Sequence, residues 1–183
     1  MLLKVSGVKQ MPMLKVKHPL SKKEVKEIIR IMGNSFGEEA AQKLIKKKDR
    51  VELAEFDKTT EIILVNGKPA FIKRKNLIFP LVIALYRISN EEDLRKWRKR
   101  VIVDAGAVPF ILKGADVMAA GITDADERIK EGDFVFVAEE DYGRPLAIGI
   151  ALMNGKSMVE RPKGKAVKVI HHAKDKIWEL TVG

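Results

Sequence analysis

The chain has 183 residues, 46% of them hydrophobic and 33% charged, enough for one ordinary or two small globular domains, and its lack of cysteine excludes a disulfide framework, a thiol nucleophile and a thiolate zinc site. The net charge of +10 is unevenly placed, with 24 Lys and Arg against 12 Asp and Glu in residues 1–100 and 11 against 13 in residues 101–183, an excess that favours polyanionic partners. No apolar run approaches the roughly 18–20 residues of a membrane span and the N-terminus lacks the apolar core of a signal peptide, so a cytoplasmic protein without a membrane partner is expected.

Residues 1–95 are expected to form a small α+β domain. Ser21-Lys22-Lys23-Glu24 is a capping box, and Val25, Ile28, Ile29 and Met32 follow at helical spacing, with Gly33 as the expected stop. Ser35-Phe36-Gly37-Glu38 suggests a second capping box before a helix carrying Ala41, Leu44 and Ile45 and ending in Lys46-Lys47-Lys48. Val51–Phe56 and Glu61–Val65 read as strands, and Asn66-Gly67 as a type I′ hairpin turn returning through Lys68–Lys73. Phe79–Ile88 reads as a core helix with Pro80 in its first turn, and Asn90–Arg100 as a charged connector.

Residues 96–183 are expected to form a small, nearly closed β-barrel. The segment Val101–Ile122, VIVDAGAVPFILKGADVMAAGI, packs a strand, a glycine turn, one short helix over Ala107–Lys113, a second glycine turn and another strand into two dozen residues. Such a corner exposes backbone amides, which permits close approach by a ligand. Later strands are expected over Phe134–Ala138, Leu146–Met153, Ala166–His171 and Lys176–Val182, with a turn at Asn154-Gly155.

Catalytic constellations are not indicated. Gly149–Ser157, GIALMNGKS, has five residues between its first glycine and Gly-Lys where a phosphate loop needs four, and reads on into a turn and strand rather than a helix. His171 and His172 point to opposite faces of a strand and so do not share a metal, and a surface or core histidine fits them better. Asp104 and Asp116 flank the short helix and are expected to accept backbone N–H groups. No cofactor or metal site is expected. A nucleic-acid site fits better, with Lys113 at the corner and Arg161, Lys163, Lys165 and Lys168 around a late strand.

The Val101–Ile122 segment resembles the opening of the PUA domain, an RNA-binding β-barrel, through Val103-Asp104, Gly106-Ala107, Gly114-Ala115 and Gly121-Ile122 in order and spacing. KEGDFVFV and PLAIGIALM resemble its later strands, although Ala119-Ala120 stands where the family often has a proline. Lys47–Val82 resembles the N-terminal domain of the malignant T-cell-amplified sequence family and of ligatin, so the whole chain is similar to an archaeal-type relative with a pre-PUA domain and a PUA domain. The resemblance implies a non-catalytic, translation-associated RNA-binding protein that works with the small ribosomal subunit, rRNA or a tRNA 3′ end, and with a translation-factor partner, in initiation, reinitiation or recycling. It implies RNA contacts at Gly106, Lys113, Gly114, Ala115, Asp116, Val117 and Met118, to which charge adds Arg161, Lys163 and Lys165. Lys48, Lys73, Arg74, Lys75 and the Arg95–Arg100 cluster are candidates for anchoring on structured RNA. The alternatives are an accessory subunit of an RNA-modification enzyme, or a protein adaptor whose barrel has lost RNA binding, to which the acidic stretch Asp124–Asp141 lends support.

Overall fold

Two sheets share a hydrophobic wall in the computed structural model, which describes residues 14–160 and 163–181. The first sheet runs in chain order through β1 (Lys15–Pro19), β2 (Val51–Glu55), β3 (Glu61–Val65), β4 (Lys68–Arg74) and β5 (Leu77–Pro80), with every neighbouring pair antiparallel. Three helices complete this α+β domain: α1 (Lys22–Phe36), α2 (Glu38–Leu44) and α3 (Val82–Ser89). The capping box at Ser21 forms as expected, with the hydroxyl accepting the Glu24 N–H and the Glu24 carboxylate accepting the Ser21 N–H. The Asn66-Gly67 hairpin forms with φ of 51° and 80°, as a type I′ turn requires.

Three expectations for this half are corrected. First, α1 runs through Gly33 and stops at Gly37, whose φ is 98°. Phe36 extends the buried stripe of Val25, Ile28 and Met32, and its burial outweighs the roughly 1 kcal/mol that an interior glycine costs. Second, Ser35 therefore lies inside α1, Gly37 precedes α2 without a side-chain cap, and α2 stops at Leu44, where Ile45 turns extended, so Lys46-Lys47-Lys48 lie beyond the helix they were expected to end. Third, Pro80 closes a strand rather than opening a helix. β5 is an edge of its sheet, where a residue without an N–H is tolerated, and α3 starts two residues later. Strand β1 was not expected, because all five of its residues are exposed and show no apolar alternation.

The second sheet contains β6 (Arg100–Val103), β7 (Val117–Met118), β8 (Ile122–Ala125), β9 (Phe134–Glu139), β10 (Pro145–Ala151) and β11 (Lys165–His172). Its order is β7-β11-β10-β9-β6-β8, with β6 and β9 parallel, and it curls into a nearly closed barrel. Three short helices accompany it, where one was expected: α4 (Val108–Ile111), α5 (Gly155–Glu160) and α6 (Lys176–Thr181). Asn154 does not make a simple turn; its side chain accepts the Ser157 N–H at 2.8 Å and caps α5. Lys176–Val182 is not a strand, because Asp175 accepts the Trp178 N–H at 2.8 Å and caps α6. A helix thus does follow Lys156-Ser157. The wrong spacing still excludes a phosphate loop, and Gly149 sits inside β10 against β11 rather than in a loop. The connector at residues 90–100 holds only a 3₁₀ turn at Leu94–Lys96.

The shared wall explains the unbroken apolar runs VIV and FVFVA. In β9, Val135 and Val137 fill the barrel, while Phe136 and Ala138 belong to the core of the first domain. In β6, Val101 and Val103 face the barrel and Ile102 faces the other core. Strands buried on both faces lose the apolar–polar alternation of a half-exposed strand. Aromatic pairs fasten the wall: Phe36 and Trp97 lie 6.0 and 6.4 Å from Phe136, and Phe79 lies 5.1 Å from Phe134.

Candidate nucleic-acid interface

The corner begins where β6 ends. The Asp104 N–H donates to the Gly121 carbonyl at 2.9 Å and its carboxylate accepts the Ala107 N–H at 2.9 Å, so one residue ties the start of the corner to its finish. Gly121 is required by close approach, since a Cβ there would stand 3.1 Å from that of Ala107. Pro109 sits in the first turn of α4, which ends at Ile111 rather than running to Lys113 as expected, and a turn then leads to Gly114 (φ 89°), whose N–H donates to the Ile111 carbonyl at 2.9 Å. The chain continues directly into β7, where Met118 pairs with Lys165 and Val117 with Val167 of β11.

Between α4 and β7 lies a cavity of about 760 Å³. Gly106, Gly114, Ala115, Asp116, Val117, Met118 and Lys165 all line it, so the structure brings these expected contacts together. Val117 is itself buried in the barrel core, whereas Met118 is 48% exposed at the mouth. Lys113 and Lys163 are exposed but do not line the cavity, and Arg161 lies outside the described residues. Asp116 is held by two partners on β11: it accepts the Val169 N–H at 3.0 Å and pairs with the Lys165 ammonium at 3.2 Å. Asp104 and Asp116 both accept backbone N–H groups, as expected, but Asp116 does so across strands rather than within a turn.

Phe110 was missed by the sequence reading. It lines the same cavity and is 65% exposed, while its neighbour Ile111 is buried. A helix of a single turn cannot bury both, so the signal lay in the apolar run Pro109-Phe110-Ile111-Leu112 on so short an element. The floor of the site is apolar, and its charged groups are the Asp104 and Asp116 carboxylates and the Lys165 ammonium.

Basic groups concentrate elsewhere. A groove of about 870 Å³ between α1 and the first sheet has an apolar floor that includes Ile28, Ile63 and Ile78 and a rim on which Lys22, Lys23, Lys26 and Lys73, the last paired with Glu61 at 3.2 Å, outnumber the carboxylates of Glu24 and Glu27. The three α1 lysines were not singled out as binding candidates in the sequence, where Lys22 and Lys23 appear only within the capping box. The Arg95–Arg100 cluster is largely engaged in structure: Arg95 pairs with Asp93 at 2.9 Å, Lys99 with Asp133, and Arg100 with Asp124 at 3.0 Å, leaving Lys96 and Arg98 exposed. Those pairings also use carboxylates of the acidic stretch, none of which lines the corner. Among the described residues no group of three or more His, Asp or Glu side chains is placed to hold a metal, and no helix is long and apolar enough to cross a membrane.

Residues 99–173 match the PUA domain model, and residues 16–88 match a domain of unknown function, DUF1947. An uncharacterized protein of Methanocaldococcus jannaschii is 45% identical over 88% of this chain and 94% of its own length. The chain belongs to the family of PUA-domain proteins with an N-terminal DUF1947 domain. The crystal structure of a hypothetical protein from Pyrococcus horikoshii OT3 is similar at a TM-score of 0.88 and 75% identity, covering 90% of this chain and 98% of that one. Translation machinery-associated protein 20 of Saccharomyces cerevisiae is 26% identical over 79% of this chain and 80% of its own. Malignant T-cell-amplified sequence 2 of Homo sapiens is 26% identical over 75% of each. The PUA domain suggests RNA binding, and these distant relatives connect the family to translation.

Proposed function

We propose that this protein binds RNA without catalysis and works in translation, with the PUA corner receiving a single-stranded RNA end and the N-terminal domain anchoring on structured RNA of the small ribosomal subunit. The observation that carries this reading is the exposed pair Phe110 and Met118 at the mouth of a glycine-walled cavity with Lys165 on its rim. Apolar surfaces receive unstacked bases, open backbone N–H groups donate to sugar and phosphate oxygens, and the ammonium meets the phosphate charge. A tRNA 3′ terminus has the required single-stranded form. Asp104 and Asp116 each accept a backbone N–H, and Asp116 also pairs with Lys165, so both help to hold the corner in shape.

The anchor is the lysine-rimmed groove of α1 together with Lys48 and Lys75, which are exposed. This assigns bulk attraction to one domain and end recognition to the other, dividing the chain near residue 95. The adaptor reading relied on the acidic stretch Asp124–Asp141 repelling RNA near the corner, and it is weakened because none of those carboxylates lines the corner cavity. Fractionation of ribosomal particles with and without RNase tests the proposal. Co-migration with the small subunit that is released by RNase is expected, and migration free of ribosomal particles under both conditions contradicts it.

A further inference from the structure

Loop 139–144 presents an aromatic ring from an unusually well-tied backbone. The Glu139 carboxylate accepts the N–H groups of Asp141, Tyr142 and Arg144 at 2.7–3.1 Å. The Gly143 N–H returns to the Glu139 carbonyl at 3.1 Å, with φ of 68°. From the connector, Arg95 donates to the Glu140 carbonyl at 2.8 Å. On this fixed loop the Tyr142 side chain is 72% exposed, with the Arg144 guanidinium 4.8 Å from its ring centre.

Tyr142 is not an isolated surface ring. It walls a groove of about 530 Å³ whose other sides include Pro109, Leu112 and the edge-to-face pair Tyr86 and Trp178, 6.1 Å apart. Lys174, exposed and in a left-handed conformation (φ 72°), stands at this groove with Arg144. Val108 and Pro109 belong to the same one-turn helix whose Phe110 and Ile111 line the corner cavity, and Leu112 follows directly at its end. The two grooves therefore share α4 as a wall.

We infer that this groove is a second base-stacking subsite, in which an RNA strand with its end in the corner crosses α4 and lays a base on Tyr142. An aromatic slot with an arginine over one wall suits a nucleobase, and Arg144 and Lys174 supply cations for its phosphate. Asp141 also lines the groove, which places the phosphate on the Arg144–Lys174 side. Continuity with the corner and these two cations favour a nucleic-acid strand over an apolar peptide. The inference rests on the RNA-end reading above.

Affinities of the full chain for single-stranded RNAs of four and twelve nucleotides with free 3′ ends test it, using the parent, Tyr142→Ala and Tyr142→Phe, with photocrosslinking to locate the contact. Tyr142→Ala is expected to weaken the longer RNA by about tenfold and leave the shorter one unchanged, with Tyr142→Phe near the parent. A crosslink at Tyr142 by the longer RNA alone is expected with it. Equal affinity of parent and Tyr142→Ala for the longer RNA overturns the subsite and leaves the corner standing, and so does an equal loss on both lengths. Failure of the parent to bind either RNA overturns the underlying reading instead. Normal RNA binding with Tyr142→Ala defective only in capturing a protein would assign the groove to a protein partner and overturn the inference.

Discussion

His171 of β11 accepts the N–H of Val82 at 3.1 Å through Nε2, joining the barrel to the first turn of α3 in the other domain. Its Nδ1 lies 2.7 Å from the Asp175 carboxylate, which fixes the proton on Nδ1 and leaves Nε2 as the acceptor. The ring is buried, so each of its nitrogens has a protein partner in place of water. His171→Ala strands the Val82 N–H, leaves the Asp175 carboxylate with only the His172 and Trp178 N–H groups, and opens a cavity in the shared wall. A loss of about 2–4 kcal/mol is expected in chemical denaturation. A change within about 0.5 kcal/mol would mean that the contact does not hold the domains together.

Acid should weaken the fold through Asp126 and Asp175. Burial raises the pKa of each, but hydrogen bonding outweighs it, so both lie below the ordinary aspartate value. For Asp126 the stabilising partners are Arg128 and the N–H groups of Lys99 and Arg128; for Asp175 they are His171 and the N–H groups of Trp178 and His172. A carboxylate depressed in the folded state stabilises above its unfolded pKa, and that contribution is lost as pH falls through its folded value. Thermal midpoints are expected to hold from neutral pH to about pH 5 and to fall below about pH 4. Asp126→Asn should melt below the parent at neutral pH, with the gap closing in acid. A gap independent of pH contradicts this assignment.

Gly149 and Gly132 separate close packing from backbone strain. A Cβ on Gly149 would clash with the Val167 side chain and stand 2.6 Å from the Lys168 carbonyl, forcing β10 and β11 apart. Gly132 has φ of 90° but nothing within 4 Å of its Cβ position. Gly149→Ala is expected to cost about 1–3 kcal/mol or more by overpacking, and Gly132→Ala about 1–2 kcal/mol by conformation alone. Equilibrium unfolding of the two variants measures both, and a larger loss at Gly132 would reverse the assignment.

Much of this architecture was legible because local chemistry and burial agreed. Ser21 to Glu24 announced α1, Asn66-Gly67 announced the hairpin, and the spaced Gly-Ala steps of the corner announced the PUA barrel. The misreadings share a cause: a residue with two common uses was assigned the wrong one. Asn154 caps a helix where the strand-rich context suggested a turn, Asp175 caps another where Lys176–Val182 read as a strand, and Pro80 ends an edge strand where it could as well have begun a helix. The shared wall was hidden because apolar runs such as FVFVA show that both faces are covered without showing what covers them. At the site, charge pointed to Lys165 and the family resemblance to the glycines. The exposure of Phe110 became visible only when α4 proved to be a single turn.

The α1 lysines offer a charge test independent of the corner. Lys22, Lys23 and Lys26 are exposed and rim one groove, and none has a carboxylate partner within 4 Å among the described residues. Changing all three to Glu should weaken RNA binding and lower the slope of log affinity against log salt by about 2–3 units. An unchanged slope would remove this face from the RNA path.

The central claim is that end recognition and electrostatic anchoring reside in separate domains, and the salt dependence of RNA affinity tests it most directly. The full chain, the triple α1 variant and the corner variant Phe110→Ala/Met118→Ala are titrated with a structured RNA bearing a single-stranded 3′ end over a range of salt. The account predicts a flattened slope for the α1 variant and, for the corner variant, about a tenfold or greater loss of affinity with the parental slope retained. Parental affinity for the corner variant, or a loss there that vanishes at high salt, would contradict it.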